Sequence, residues 1–462
     1  MTATQDVLTA IDPTTGEVVS EVPAADTATR DAIIGRAAAA FDGWRRTSVD
    51  DRAEVLRSVA ATMRDDVERL AMLMTVEMGK PITEARGEVA KAAWAAEHYA
   101  EHAAAYLAPE VIVSDATSSY VQYLPLGATL GILPWNAPFW LAFRYCAPAL
   151  MAGNTCVIKH DPHVPGCAEA IGELFTQVGA PEGVCQNLPI ATPDVEAAIR
   201  DPRIQAVSFT GSDRAGAAVA SIAASEIKPA VLELGGSDPA IVLADAALDE
   251  AADAIALMRI INAGQSCIAA KRILVEEAVY EPMVELLHER FAALTVGDPR
   301  KEETQVGPIA RADLRDNLHR QVRSTVDAGA TCRLGGELPA GDGFFYPVTL
   351  LTDVTPDMAV SCEETFGPVA VVSPVSSADE AVRVANDTVY GLAASVFTDP
   401  DRGEAMAREI QAGQVAVNGV VKTDPRLPSG GVKRSGYGRE LGPHGIREFV
   451  NVQQVWVGPK AE

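Results

Sequence analysis

Two residues stand out for what their side chains could do together. Cys267 lies in Asn262-Ala-Gly-Gln-Ser-Cys267. The glycine just upstream gives close backbone access, and an N–H near the cysteine is placed to receive an oxyanion, so the segment suits a thiol nucleophile. Glu233 lies 34 residues earlier in Leu232-Glu233-Leu234-Gly235-Gly236, a lone carboxylate between two leucines at the close of an apolar stretch. An unpaired buried carboxylate is costly. Two readings stay open: the charge reaches solvent or a backbone N–H at a strand end, or Glu233 is a general base whose pKa is raised by its apolar setting. The other six cysteines have ordinary settings. Cys146, Cys156, Cys167 and Cys185 sit among apolar residues, Cys332 precedes Arg333 near a turn, and Cys362 precedes two glutamates; each reads as a small hydrophobe.

A third group is Phe209-Thr210-Gly211-Ser212, with Gly216 opening the helix that follows. A glycine-bearing turn from strand to helix offers free N–H groups and a positive dipole end to a phosphate. The spacing is not GxGxxG, and a plain turn is the alternative reading.

These residues need elements to position them. Residues 26–44, 49–78 and 82–105 are Ala-rich with charge on one face, a helical pattern. Residues 118–126 alternate in the manner of a strand. From Gly127 onward short apolar strands alternate with helices: strands at 127–134, 155–159 and 206–210, helices at 140–152, 166–178 and 215–225. This rhythm predicts a parallel sheet covered on both faces. A second β-α series begins at Ala230–Glu233 and runs to about 416, and Val450–Val457 returns to strand character. The fold class is therefore α/β with two lobes.

The chain has 462 residues, 48% hydrophobic and 22% charged, a composition of globular proteins that is too long for one ordinary domain. Its net charge of −25 argues against nucleic acid and anionic membrane surfaces as partners, but a pocket can oppose the global charge and take a small anion. No apolar run approaches a spanning helix, and the first basic residue is Arg30, which does not resemble a signal peptide. Seven scattered cysteines without a CxxC pair suggest neither a disulfide framework nor a structural zinc site. The expectation is a reduced, cytoplasmic enzyme without a metal.

Taken in order, Pro134-Trp135-Asn136, Lys159, Phe209-Thr-Gly-Ser212, Leu232-Glu-Leu-Gly-Gly236, Gly264-Gln-Ser-Cys267, Glu363-Glu-Thr-Phe-Gly-Pro368, Gly430-Gly-Val-Lys-Arg-Ser-Gly436 and Gly438-Arg-Glu440 resemble the aldehyde dehydrogenase superfamily over residues 10–458. The resemblance implies a Rossmann-type cofactor domain (1–112 and 127–233), an α/β catalytic domain (234–425), and a small β oligomerisation element (113–126 and 445–462) that makes a homodimer or homotetramer. It implies Cys267 as the nucleophile, Glu233 as the base that activates the deacylating water, and Asn136 as the side-chain oxyanion donor. Lys159 would bond the adenosine ribose, Ser212 the pyrophosphate and Glu364 the nicotinamide ribose, with Phe366 packed nearby. Pro134, Trp135, Gly211 and Leu234 complete the cofactor-binding positions.

Lys159-His-Asp-Pro-His-Val-Pro-Gly-Cys-Ala168, Glu233-Leu-Gly-Gly-Ser-Asp-Pro239 and Gln265-Ser-Cys-Ile-Ala-Ala-Lys-Arg272 resemble the short bacterial succinate-semialdehyde dehydrogenases. Arg144, eight residues after Asn136, matches the arginine that grips a substrate carboxylate there; the alternative is an arginine paired with a structural acid. Three positions depart from the pattern: Ala137 and Ser429 replace phenylalanines, and Ile261 stands where relatives carry a polar or aromatic residue. They suggest a wider pocket, which keeps a bulkier or aromatic aldehyde open as the alternative substrate. Pro162 replaces the glutamate that repels a 2′-phosphate in NAD-preferring relatives, with Asp161 beside it as a partial substitute. The cofactor expected is NADP, with NAD also accepted. A CoA-acylating enzyme would not need Glu233, and a non-catalytic binding relative would not need Cys267, Glu233 and Asn136 together.

Overall fold

The computed structural model describes residues 6–458; residues 1–5 and 459–462, at the ends of the regions expected to hold the cofactor and the tail element, lie outside the described residues. A six-stranded sheet runs in the order Gly436–Tyr437, Ala230–Glu233, Ile204–Thr210, Ala128–Leu133, Thr155–His160, Cys185–Asn187. All neighbours are parallel except Gly436–Tyr437, which is antiparallel to Ala230–Glu233. Every residue of Ala128–Leu133 and Thr155–His160 is buried, as strands covered on both faces must be.

The chain moves outward from Ala128–Leu133 to Cys185–Asn187, then returns to the other side of Ala128–Leu133 at Ile204–Thr210. That reversal opens a crevice at the carboxyl ends of the strands, where doubly wound sheets bind ligands. The register sets Lys159 and Phe209 on either side of Ile132, and Glu233 beside Thr210. Asn136, Lys159, Ser212 and Glu233 thus sit at or just beyond the ends of four strands in one sheet. Ala230–Glu233 belongs to this sheet, so the expectation that it opens the second series is corrected.

The second sheet has seven strands, ordered Thr331–Leu334, Thr349–Thr352, Val369–Val375, Ala270–Glu276, Asp238–Val242, Ala393–Phe397, Gln414–Val417, parallel except at its Thr331–Leu334 edge. Cys267 lies just before its Ala270–Glu276 strand. A three-stranded antiparallel sheet joins Ser118–Pro125 to Val450–Val457 along eight residue pairs, with Glu110–Val111 on the other side, just outside the range expected for it.

The helical N-terminal region differs from expectation in two places. Residues 49–78 form two helices, Val49–Asp65 and Val67–Met78, that meet at Asp66. Before the first helix, Val7–Ile11 and Val18–Pro23 form an antiparallel hairpin that the helical reading passed over. The long helix Ile82–Tyr106 buries an alanine-rich face together with residues of Pro138–Met151. This pair walls one side of the site.

Candidate active site

The Cys267 segment is held by its backbone. Asn262, Ala263 and Gly264 have φ values of 56°, 53° and 74°, three consecutive residues in the left-handed region. A side chain at Gly264 would place its Cβ 2.4 Å from the Gly367 carbonyl. Fully buried Arg259 donates to the carbonyls of Gly264 and Ala270 at 2.8 and 3.3 Å, on either side of the cysteine. Lys271 donates to the Cys267 carbonyl at 2.8 Å and to Glu364 at 2.9 Å. The thiol is in no disulfide among the described residues, and burial pushes its pKa up to about 11, against the pull of Arg144 and Lys271.

Asn136 lies against the same segment. Its Nδ2 donates to the Gln265 carbonyl at 3.1 Å, which leaves its second N–H for another acceptor. Its own carbonyl receives Lys80 at 2.9 Å and Asn262 at 2.8 Å.

Glu233 is only 4% exposed, so its carboxyl does not reach solvent. Its pKa is raised to about 8, mainly by burial and further by Glu440, while Arg144 pulls it down. Oε2 lies 3.3 Å from Arg144 Nη2, and Oε1 is buried with no hydrogen-bond partner among the described residues. Arg144 is itself buried, and its Nε donates to Glu440, whose other oxygen accepts from Ser208 at 3.2 Å. Burial opposes the guanidinium charge, yet Glu440 and Glu233 more than offset it and its pKa is raised. The arginine expected to grip a substrate is therefore in contact with two of the protein's own acids.

On the cofactor side, Lys159 is buried and its ammonium makes no hydrogen bond or ion pair among the described residues; burial lowers its pKa, against the pull of Asp161. Ser212 caps the helix Asp213–Ser225 by accepting from the Ala215 N–H. At Gly216 an added Cβ would meet Leu234 at 2.5 Å, so this helix start lies close against Leu234. Trp135 and Phe366 meet edge to face, with ring centroids 5.8 Å apart. Asp161 Oδ1 accepts from the His163 backbone at 3.0 Å and lies 2.6 Å from His163 Nδ1. It is thus occupied beside Pro162.

A cavity of about 450 Å³ adjoins Cys267 and Asn136, lined also by Ala137, Trp140, Arg144 and Ile261. Ser429 is not among its lining residues: it is 2% exposed and exchanges backbone hydrogen bonds with Glu440 at 2.7 and 2.8 Å. Sequence reasoning passed over Lys80, Lys91 and Thr423, which do line the cavity. The signal was the run of Glu84, Glu88 and Lys91 on one helical face.

The pattern of the aldehyde dehydrogenase family matches residues 1–455. The chain is 46% identical over 451 residues to succinate-semialdehyde dehydrogenase (NADP+) 1 of Mycobacterium ulcerans, covering 96% of this chain and 98% of that one. It is 45% identical over 447 residues to a succinate semialdehyde dehydrogenase (NAD(P)+) of Escherichia coli K12, covering 96% and 97%. A solved succinic semialdehyde dehydrogenase from Streptococcus pyogenes, in complex with NADP+, superposes with a TM-score of 0.95 at 35% identity, over 98% of this chain and 100% of that one.

Proposed function

The chain belongs to the aldehyde dehydrogenase family, and we propose that it oxidises a carboxylated semialdehyde, succinic semialdehyde first, to the acid with NADP, NAD also being accepted. The observation that carries this reading is the charge of the cavity. In a protein of net charge −25, the wall carries four cations, Lys80, Lys91, Arg144 and Lys422, against two carboxylates, Glu84 and Glu88. Burial raises the Glu84 pKa to about 7, which shrinks the negative share further. Such a wall favours an anionic aldehyde over an aromatic one.

The cofactor side fits a phosphorylated dinucleotide. Lys159 is a buried cation whose ammonium makes no hydrogen bond or ion pair among the described residues, the Ser212 turn opens a helix, and Asp161 is held by His163. NADP, when bound, accepts the hydride that leaves the substrate carbon. Cys267 Sγ adds to the aldehyde carbon and loses its proton as the bond forms, while the Asn136 amide and the Cys267 N–H donate to the oxyanion. Departure of the hydride leaves a thioester on Cys267. Glu233, with Oε1 open, takes a proton from water, whose oxygen breaks the thioester and restores the thiol. The sum is aldehyde plus water to carboxylate, with a hydride delivered and two protons released.

We assign the three-stranded sheet to subunit contact, in a dimer or tetramer, because Val111, Val113, Val452 and Trp456 on or beside it are exposed. No helix among the described residues is long and apolar enough to cross a membrane, in keeping with a cytoplasmic enzyme.

Initial rates with succinic semialdehyde and benzaldehyde, each with NADP and with NAD, test the reading. The expected kcat/KM is highest for succinic semialdehyde with NADP, and Cys267→Ala removes turnover while still binding NADP. A preference for benzaldehyde overturns the substrate assignment and makes Ala137 and Ile261, both on the cavity wall, its determinants.

A further inference from the structure

The cavity beside Cys267 holds a half-buried cation that has no carboxylate within ion-pair distance among the described residues. Lys91, on the helix Ile82–Tyr106, donates to Thr423 Oγ1 at 2.7 Å and lies 4.2 Å from the centroid of the Trp140 ring; all three residues line the cavity. The other cations of that wall are accounted for. Lys80 pairs with Glu88, Arg144 lies between Glu440 and Glu233, and Lys422 is exposed, so water meets its charge. Lys91 makes no ion pair among the described residues. Burial lowers its pKa to about 8, with Arg144 and Lys80 adding to that effect and Glu88 and Asp424 opposing it.

An ammonium has three N–H groups, and Thr423 takes one. Even partial burial of an unpaired charge carries a desolvation cost that an anion would relieve. A ligand carboxylate entering this cavity would supply the missing anion without displacing any protein contact. At Arg144 the same carboxylate would have to compete with Glu440 and Glu233, and would draw the guanidinium away from the general base.

We propose that Lys91, rather than Arg144, receives the carboxylate of the aldehyde substrate, held in place by Thr423 and by the face of Trp140. The inference rests on the reading of the substrate as a carboxylated semialdehyde. It makes the helix Ile82–Tyr106, far in sequence from the nucleophile, the element that selects the substrate.

The test compares the full-length enzyme with Lys91→Gln, Lys91→Met and Lys91→Arg at saturating NADP, on succinic semialdehyde and on butanal, which has the same carbon count and no carboxylate. Selectivity for succinic semialdehyde over butanal is expected to fall about 10- to 100-fold in the Gln and Met variants, through KM rather than kcat, and to return largely in Lys91→Arg. Selectivity that survives in both neutral variants, or an equal loss on the two aldehydes, overturns the role of Lys91 and leaves the substrate reading standing. A wild-type enzyme that does not favour succinic semialdehyde over butanal overturns the substrate reading, and this inference with it.

Discussion

Cys267 divides its surroundings into two halves built on different terms. On the cofactor side, the polar groups stand at the ends of neighbouring parallel strands, and the nucleophile segment is tied down through its own carbonyls by Arg259 and Lys271. On the substrate side, the wall comes from the helices Ile82–Tyr106, Pro138–Met151 and Leu248–Ile260 and from residues 420–423, and its polar contacts are made by side chains such as Lys91, Thr423 and Arg144. Backbone bonds of a sheet survive most single substitutions, proline apart, whereas a helix face can change a residue and keep its fold. The difference teaches that the chemistry is set by the topology and the choice of aldehyde by replaceable side chains. Damage to the first half should be blind to the substrate, and damage to the second should not.

The largest effect is expected where the two halves meet, at Glu233. Glu233→Gln should lower steady-state kcat by about 10²- to 10⁴-fold on every aldehyde, while a first burst of NADPH persists because thioester formation precedes the step that needs the base. A carboxyl with its pKa raised to about 8 is mostly protonated at lower pH and cannot act as a base. In the wild-type enzyme kcat should therefore rise as pH passes upward through about 8, and that limb should vanish in the Gln variant. Rapid-mixing measurements of NADPH across pH check both. A variant without a burst would place Glu233 in the thiol step instead.

Gly264→Ala should come next. The φ of 74° strains a side chain there, and its Cβ would lie 2.4 Å from the Gly367 carbonyl. Strain and overpacking together are expected to cost about 2–5 kcal/mol, read by denaturant unfolding. Turnover of succinic semialdehyde and of butanal should fall by the same factor. Unequal losses would show that the nucleophile segment also shapes the cavity, and the division drawn above would fail.

The two halves were also unequally legible in the sequence. Cys267 and Glu233 stood out from their local settings, whereas Asn136 and Lys159 entered through the family resemblance; neighbouring parallel strands bring the last three of these to one end of a sheet. Lys91 left no such mark. Glu84, Glu88 and Lys91 on one helical face are the pattern of any solvated helix, and Lys91 meets Thr423 only across 332 residues of chain. At Ser429, loss of bulk beside a glycine pair reads as a widened wall; the residue lies outside the cavity lining, with its backbone engaged with Glu440. The break at Asp66 carries neither proline nor glycine, so helical periodicity ran through it. The N-terminal hairpin had its signal in Asp12-Pro13-Thr14-Thr15-Gly16, a turn whose glycine takes a φ of 78°.

The smallest effect is expected on the cofactor side, at Pro162. The nearest carboxylate to that turn, Asp161, accepts from the His163 N–H at 3.0 Å and has His163 Nδ1 at 2.6 Å, so its oxygen is turned to the protein rather than left to repel an incoming phosphate. Pro162→Glu would add a second carboxylate to the turn. Because the site is half-open to water, the repulsion should be modest, lowering the NADP-to-NAD ratio of kcat/KM by about tenfold, mostly through a higher KM for NADP. The effect should shrink with added salt, as it must for a partly exposed charge pair, and selectivity between succinic semialdehyde and butanal should not move. A shift in aldehyde selectivity would mean the two halves are coupled across Cys267. An unchanged cofactor ratio would mean the 2′-phosphate is held elsewhere than at the end of the Thr155–His160 strand.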